Sequence, residues 1–146
     1  MKIYSLLLVL LIVAASYIFF TINHEKKNNL ISEKYVEAGL YLTSKNKEKS
    51  KNLYDEIILS KNKFYSILAL NIILEKDLVL DNDKILSYFK IVEELKLDRE
   101  QRDLVIFKKA LYLIKISNTQ EGYNLLKNLI EKNSKLKTLA EEIISK

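Results

Sequence analysis

Between Tyr35 and Asn62 the chain carries two apolar stripes of helical period separated by a charged turn, and this pattern constrains the fold more than any other feature of its 146 residues. In the first half, Tyr35, Ala38, Gly39 and Leu42 stand at i, i+3, i+4 and i+7, which aligns them on one helix face. In the second half, Leu53, Tyr54, Ile57 and Ile58 make the matching stripe, with Ser50 as a small residue one turn earlier. Two stripes and a short turn predict an antiparallel helix pair. Glycine costs about 1 kcal/mol against alanine inside a helix, so Gly39 is expected to let a second backbone approach closely.

The unit recurs. Ala110-Leu111-Tyr112-Leu113 lines up with Gly39-Leu40-Tyr41-Leu42, and Gly122, Leu126, Leu129 and Ile130 with Ser50, Tyr54, Ile57 and Ile58. Gly39 and Ala110 are 71 residues apart, close to two periods of about 34. A middle copy is expected, with Ala69-Leu70-Asn71-Ile72 on its first helix, Ser87, Ile91 and Leu95 on its second, and a longer connection from Lys76 to Lys84.

These residues resemble the tetratricopeptide repeat, which places small residues at the helix crossing and a larger apolar residue late in the second helix. Gly39, Ser50 and Tyr54 fall on those positions in one copy, and Ala110, Gly122 and Leu126 in another, with Ala69 as the small residue of the middle copy. The usual proline after the second helix is absent, since the chain has no proline. An ordinary helical bundle is the plainer reading of the same stripes.

Ahead of the repeats, Ile3 to Ile22 is a run of uncharged residues between Lys2 and His24-Glu25-Lys26-Lys27. As a helix it would be about 30 Å long, enough to cross the hydrocarbon core. A cleaved signal peptide ending near Val13-Ala14-Ala15 is the competing reading, but the run continues through Tyr17-Ile18-Phe19-Phe20, beyond the apolar length such peptides use. The expected organisation is therefore all-α: a transmembrane signal anchor (1–22), a polar linker (23–29), and a small α-solenoid of tetratricopeptide-like hairpins (30–146). The expected location is single-pass in a bacterial inner membrane, with the repeat domain in the periplasm.

Later segments carry boundary signals. Phe64, Tyr65, Leu68, Ala69, Ile72 and Ile73 predict a broadly buried helix, and Asp81 or Asn82 a helix cap. Asp98 and Gln101 suggest a capping box, followed by a buried stripe of Leu104, Phe107, Leu111 and Ile114. Thr119 is expected to cap the next helix, and Leu136, Leu139, Ala140, Ile143 and Ile144 to form a last amphipathic helix over the open end of the stack.

Chemistry-bearing constellations are missing from the pattern. His24 is the single histidine, cysteine is absent, and only Glu25 stands nearby, so a solvated interfacial residue is a plainer reading than a zinc ligand. Asp77, Asp81 and Asp83 hint at a calcium loop, but Leu86 and Val92 stand where such a loop needs glycine and glutamate. The adjacent pairs Glu93-Glu94 and Glu141-Glu142 diverge by about 100° on a helix and cannot share one substrate atom. The net charge of +5 arises from 24 basic and 19 acidic residues interleaved along the helices, a pattern of solvated faces rather than a nucleic-acid footprint. Neither catalysis nor a cofactor or metal is expected.

An anchor followed by tetratricopeptide-like helices resembles the bacterial inner-membrane family of ancillary translocon subunits. The resemblance implies a non-catalytic adaptor for protein–protein interaction, near the protein-translocation channel and its periplasmic folding factors. The alternative is a cleaved, soluble periplasmic repeat protein for envelope assembly or division. In the adaptor reading the partner groove is lined by Glu37, Tyr41, Asn71 and Tyr112 on the first helices, with Tyr41 and Tyr112 at equivalent positions.

Overall fold

Among the described residues seven helices follow one another: α1 Lys2–Thr43, α2 Lys47–Leu59, α3 Tyr65–Glu75, α4 Asn82–Glu93, α5 Arg99–Lys115, α6 Thr119–Glu131 and α7 Lys137–Ile144. In this computed structural model the described residues are 2–145, and side chains are described from residue 16 onward except 18, 20, 23 and 24. No strand occurs among the described residues.

The polar stretch Asn23 to Asn29, expected as a linker, is helical and continuous with the rest of α1. The expected membrane anchor requires a different correction. Most side chains of the run Ile3 to Ile22 lie outside the described residues, as does that of His24. Among the described residues no helix is long and apolar enough to cross a membrane. The transmembrane helix, the membrane contact through residues 3–22 and the single-pass inner-membrane location are accordingly withdrawn.

Helix pairing follows the stripes. The strongest packing runs between α1 and α2, α2 and α3, α5 and α6, and α6 and α7, whereas α3 and α4 meet over less of their length. Ser50, Tyr54, Ile57 and Ile58 of α2 are buried as expected. A first core joins them to Ala38, Ala69, Leu70, Ile73, Ile85, Tyr88, Phe89, Val92 and Val105. A second core is built on Ala110, Leu126 and Ala140, with Phe107, Tyr123, Ile143 and Ile144 packed around it. The last helix thus covers the end of the stack through Ala140, although Leu139 faces outward, half exposed.

Turn geometry shows the repeat more sharply than the side chains do. After α1, the amides of Ser44, Lys45 and Asn46 bond back to the carbonyls of Leu40, Leu42 and Tyr41; after α5, Ile116, Ser117 and Asn118 bond to Tyr112, Ile114 and Leu113. Lys45 and Ser117 occupy the left-handed region, with φ of 63° and 67°, closing both helices by the same cap. Lys61 and Asn133 repeat this after α2 and α6, with φ of 55° and 50°. In every case the partner positions are 72 residues apart, so α1–α2–α3 and α5–α6–α7 are two copies of one three-helix unit. The α3–α4 connection, residues 76–81, is longer than 44–46 and 116–118, as expected for the middle copy.

Several boundaries shift relative to the sequence reading. Asp81 is the cap of α4, accepting from the amides of Asp83 and Lys84 at 2.9 and 3.1 Å. Asp98 caps α5 by accepting from the Gln101 amide at 2.8 Å, but the reciprocal half of the box is missing, since Gln101 Oε1 is buried without a hydrogen-bond partner. Asn118, not Thr119, precedes α6. On α5 the buried positions are Asp103, Val105, Ala110 and Leu113; Leu104 and Leu111 are exposed because α5 turns one edge to the first core and another to the second. On α4 the buried residues are Ile85, Tyr88, Phe89 and Val92, while Ser87 is exposed and Ile91 and Leu95 are only partly covered. Phe64, expected within a buried helix, is 58% exposed at the start of α3.

Candidate interaction surface

The 72-residue offset corrects the register of the crossing residues. Ser50 and Gly122 are equivalent under it, as are Tyr54 and Leu126, but Ala110 matches Ala38 rather than Gly39. Ala38 and Ala110 are both fully buried. A Cβ built on Gly39 would meet only the Tyr54 hydroxyl, at 3.9 Å, so no close approach demands glycine there. At Gly122 a Cβ would lie 2.6 Å from Ile114 Cγ1 and 2.8 Å from the Ala110 carbonyl oxygen. Gly122 is the close crossing, between α6 and the backbone of α5. Ser50 takes the same place on α2, buried, with its hydroxyl unpartnered.

The same offset separates the two tyrosines. Tyr41 is equivalent to the buried Leu113, and Tyr112 to Leu40. Tyr41 is half-buried beside the start of α2, with Lys49 Nζ 5.1 Å from its ring centroid. Tyr112 reaches from α5 to α4, where its hydroxyl donates to Asn82 Oδ1 at 2.7 Å and its ring lies 6.0 Å from that of Phe89. Burial pushes its hydroxyl above the ordinary value of 10, opposed by the ammonium of Lys115. Of the four expected groove residues, Asn71 and Tyr112 come together in one cleft of 310 Å³ between α3 and α5. Glu37 is exposed on α1, and Tyr41 belongs to the α1–α2 contact.

That cleft is lined by apolar and charged side chains together, Glu75 among them. Leu74 and Leu111 line it with Lys108 and Lys115. Lys115 Nζ pairs with Asp77 at 2.9 Å, and Glu75 with Lys76 at 2.7 Å, which draws the Glu75 carboxyl below the ordinary carboxylate range. Periodicity alone missed exposed apolar side chains on the first helices: Leu111 at 39% on α5, and Val36 at 59% and Leu40 at 64% on α1. By the offset, Leu40 is the counterpart of Tyr112 and Val36 of Lys108, so α1 and α5 offer equivalent positions with different chemistry. Their i, i+4 spacing was the available signal.

The remaining polar groups tie helices together. Asp55 of α2 accepts from Tyr88 Oη at 2.7 Å and from Lys84 Nζ at 3.0 Å on α4. Burial first, then the Asp55 hydrogen bond, holds the Tyr88 hydroxyl far above its ordinary value of 10. Tyr35 sits between Tyr54, edge-on at 5.7 Å, and Tyr65, tilted at 5.6 Å, in contacts that join α1, α2 and α3. Glu93 and Glu94 diverge, one to Lys109 and the other to Lys61. Among the described residues no group of three or more His, Cys, Asp or Glu side chains is placed to hold a metal ion.

No family model, curated protein or solved structure matches the chain. The resemblance to tetratricopeptide repeats and to ancillary translocon subunits stands on the residues of this sequence alone.

Proposed function

We propose that this chain is a non-catalytic adaptor that takes a polypeptide segment on the face formed by α1, α3 and α5. The observation that carries the reading is the exposure of Val36 and Leu40 on α1 and of Leu111 on α5, the last in the wall of a cleft that Glu75, Lys108 and Lys115 also line. Stacked helix pairs use such faces for extended or helical segments, with apolar anchors supplying affinity and rim charges supplying orientation.

The test is in-cell crosslinking from a photoreactive residue at position 71, in the wall of the cleft, with partner identification, in the parent and in the Leu40→Glu and Leu111→Glu variants. Both side chains are exposed, so the melting temperature should be unchanged while the crosslinked partner is lost. Retention of the same crosslinked partner in both variants rules out this face.

A further inference from the structure

We infer that a second surface, the cleft between α1 and the α2–α3 turn, is a docking site for an acidic segment of a partner protein. This inference rests on the adaptor reading but not on the α1–α3–α5 face. It comes from comparing the two copies of the three-helix unit. Each copy forms a cleft at the same place: one of 640 Å³ involving Lys27, Asn28, Ile31 and Lys63, the other of 510 Å³ involving Arg99, Glu100, Asp103 and Lys135. These residues correspond one to one at the 72-residue offset.

The charges do not correspond. In the second cleft the cations are answered from within: Lys135 pairs with Glu100, and Arg99 Nε lies 4.0 Å from Asp103 Oδ2. In the first cleft Glu100 is replaced by Asn28 and Asp103 by Ile31, and among the described residues no carboxylate lines the wall. Lys27 and Lys63 are exposed and make no ion pair among the described residues. Lys61, on the same rim, is held by Glu94 of α4 at 3.1 Å. Beside the two free ammonium groups stand Leu30 and Phe64, 54% and 58% exposed. The cleft therefore lacks the two carboxylates its twin supplies internally, and offers an apolar step next to them. The complementary ligand is a peptide carrying two carboxylates about one helical turn apart with an apolar residue alongside, which would place its acids where Glu100 and Asp103 sit in the other copy.

The experiment uses the full chain and fluorescence anisotropy with a short fluorescein-labelled peptide bearing two glutamates three residues apart and flanked by leucine. Its glutamine counterpart is the control. Saturable binding is expected, weakening with salt and by about fivefold for each ion pair removed, the upper range for a surface pair. Asn28→Glu is the decisive variant. It rebuilds in the first cleft the acid that Glu100 provides in the second, so it should weaken the peptide about fivefold at unchanged or raised Tm; its side chain can still accept from Asn62 Nδ2, which now donates to Asn28 Oδ1 at 2.7 Å. Lys63→Glu should weaken binding further. Leu40→Glu and Leu111→Glu should bind the peptide as the parent does, which separates failure of this site from failure of the α1–α3–α5 face. The inference is overturned by absence of saturable binding, by equal binding of the glutamine peptide, or by equal affinity in Asn28→Glu. It is equally overturned if phosphatidylserine–phosphatidylcholine vesicles or a single-stranded oligonucleotide displace the peptide at matched charge, since the cleft would then be a generic anion surface.

Discussion

Alanine at the two glycines should act with opposite signs. At position 122 the new methyl would lie 2.8 Å from the Ala110 carbonyl oxygen and 2.6 Å from Ile114 Cγ1, whereas unstrained carbon contacts sit at about 3.5–4.0 Å. Ile114 Cγ1 is set by the χ1 of a β-branched residue on a helix and moves only at a cost, and the carbonyl belongs to the α5 backbone and cannot move alone. Clearing it requires α5 and α6 to separate by roughly 0.5 Å, enough to forfeit about a quarter of the dispersion energy of each contact along that seam. Overpacking of this kind costs about 3 kcal/mol at its upper end, offset by about 1 kcal/mol of improved helix propensity. The net loss of about 2 kcal/mol corresponds to a Tm lowered by about 8 °C, at about 4 °C per kcal/mol for a chain of this size. At position 39 the built Cβ is at ordinary contact distance, 3.9 Å from the Tyr54 hydroxyl, so only the propensity gain of about 1 kcal/mol operates and Tm should rise by about 4 °C. Reversible thermal melts followed by circular dichroism measure both. A Gly122→Ala variant as stable as the parent, or a Gly39→Ala variant that loses stability comparably, would refute the crossing geometry.

Ser50→Ala removes a buried hydroxyl that has no partner and improves helix propensity, and should stabilise the domain by about 1 kcal/mol in urea titration. Lys45→Gly relieves a non-glycine residue at φ 63° and should contribute about 1 kcal/mol in the same assay. Tyr88→Phe removes the hydrogen bond to Asp55 and should lower stability by about 1.5–3 kcal/mol at neutral pH, the range for a bond to a charged group. The same tyrosine sets an alkaline limit. Because its folded pKa is raised above 10 by burial and by Asp55, its stabilising contribution is complete below pH 10 and is lost as pH rises beyond it, since the unfolded chain then releases a proton that the fold retains. Melts between pH 8 and pH 11.5 should show a steeper alkaline decline for the parent than for Tyr88→Phe.

The hairpins were legible because their strongest signals were redundant. Ser50, Tyr54, Ile57 and Ile58 repeat as Gly122, Leu126, Leu129 and Ile130 at constant spacing, and Asp81 and Asp98 announce their helices with side chains that only a cap uses well. The register of the first helix was not legible, because Ala38 and Gly39 are adjacent small residues and a one-residue choice rotates the assignment by about 100°. Choosing glycine also misaligned Tyr41 with Tyr112. The turns gave no help, since Lys45, Lys61, Ser117 and Asn133 occupy positions where glycine is the usual marker. The continuity of α1 through Asn23 to Asn29 was hidden because polar residues without apolar period read as a linker, while a helix already anchored by packing at its far end extends through them at little cost. The unequal charges of the twin clefts emerged only once the 72-residue correspondence was fixed by backbone geometry.

That correspondence also bears on how the molecule comes apart. Two copies of one unit could melt separately, as beads on a string, if each kept its apolar side chains to itself. Here α5 is common property: Val105 is sealed inside the first core and Ala110 inside the second, about a turn and a half further along one uninterrupted rod. Fraying the second unit from α7 inward strips the support from the end of α5 that holds Ala110, and the loss is transmitted along the rod to Val105 and α4. Nearest-neighbour coupling in stacked repeats is ordinarily set by the interface between them; in this chain the two halves share a helix as well as an interface, and unfolding is expected to run through both as a single event.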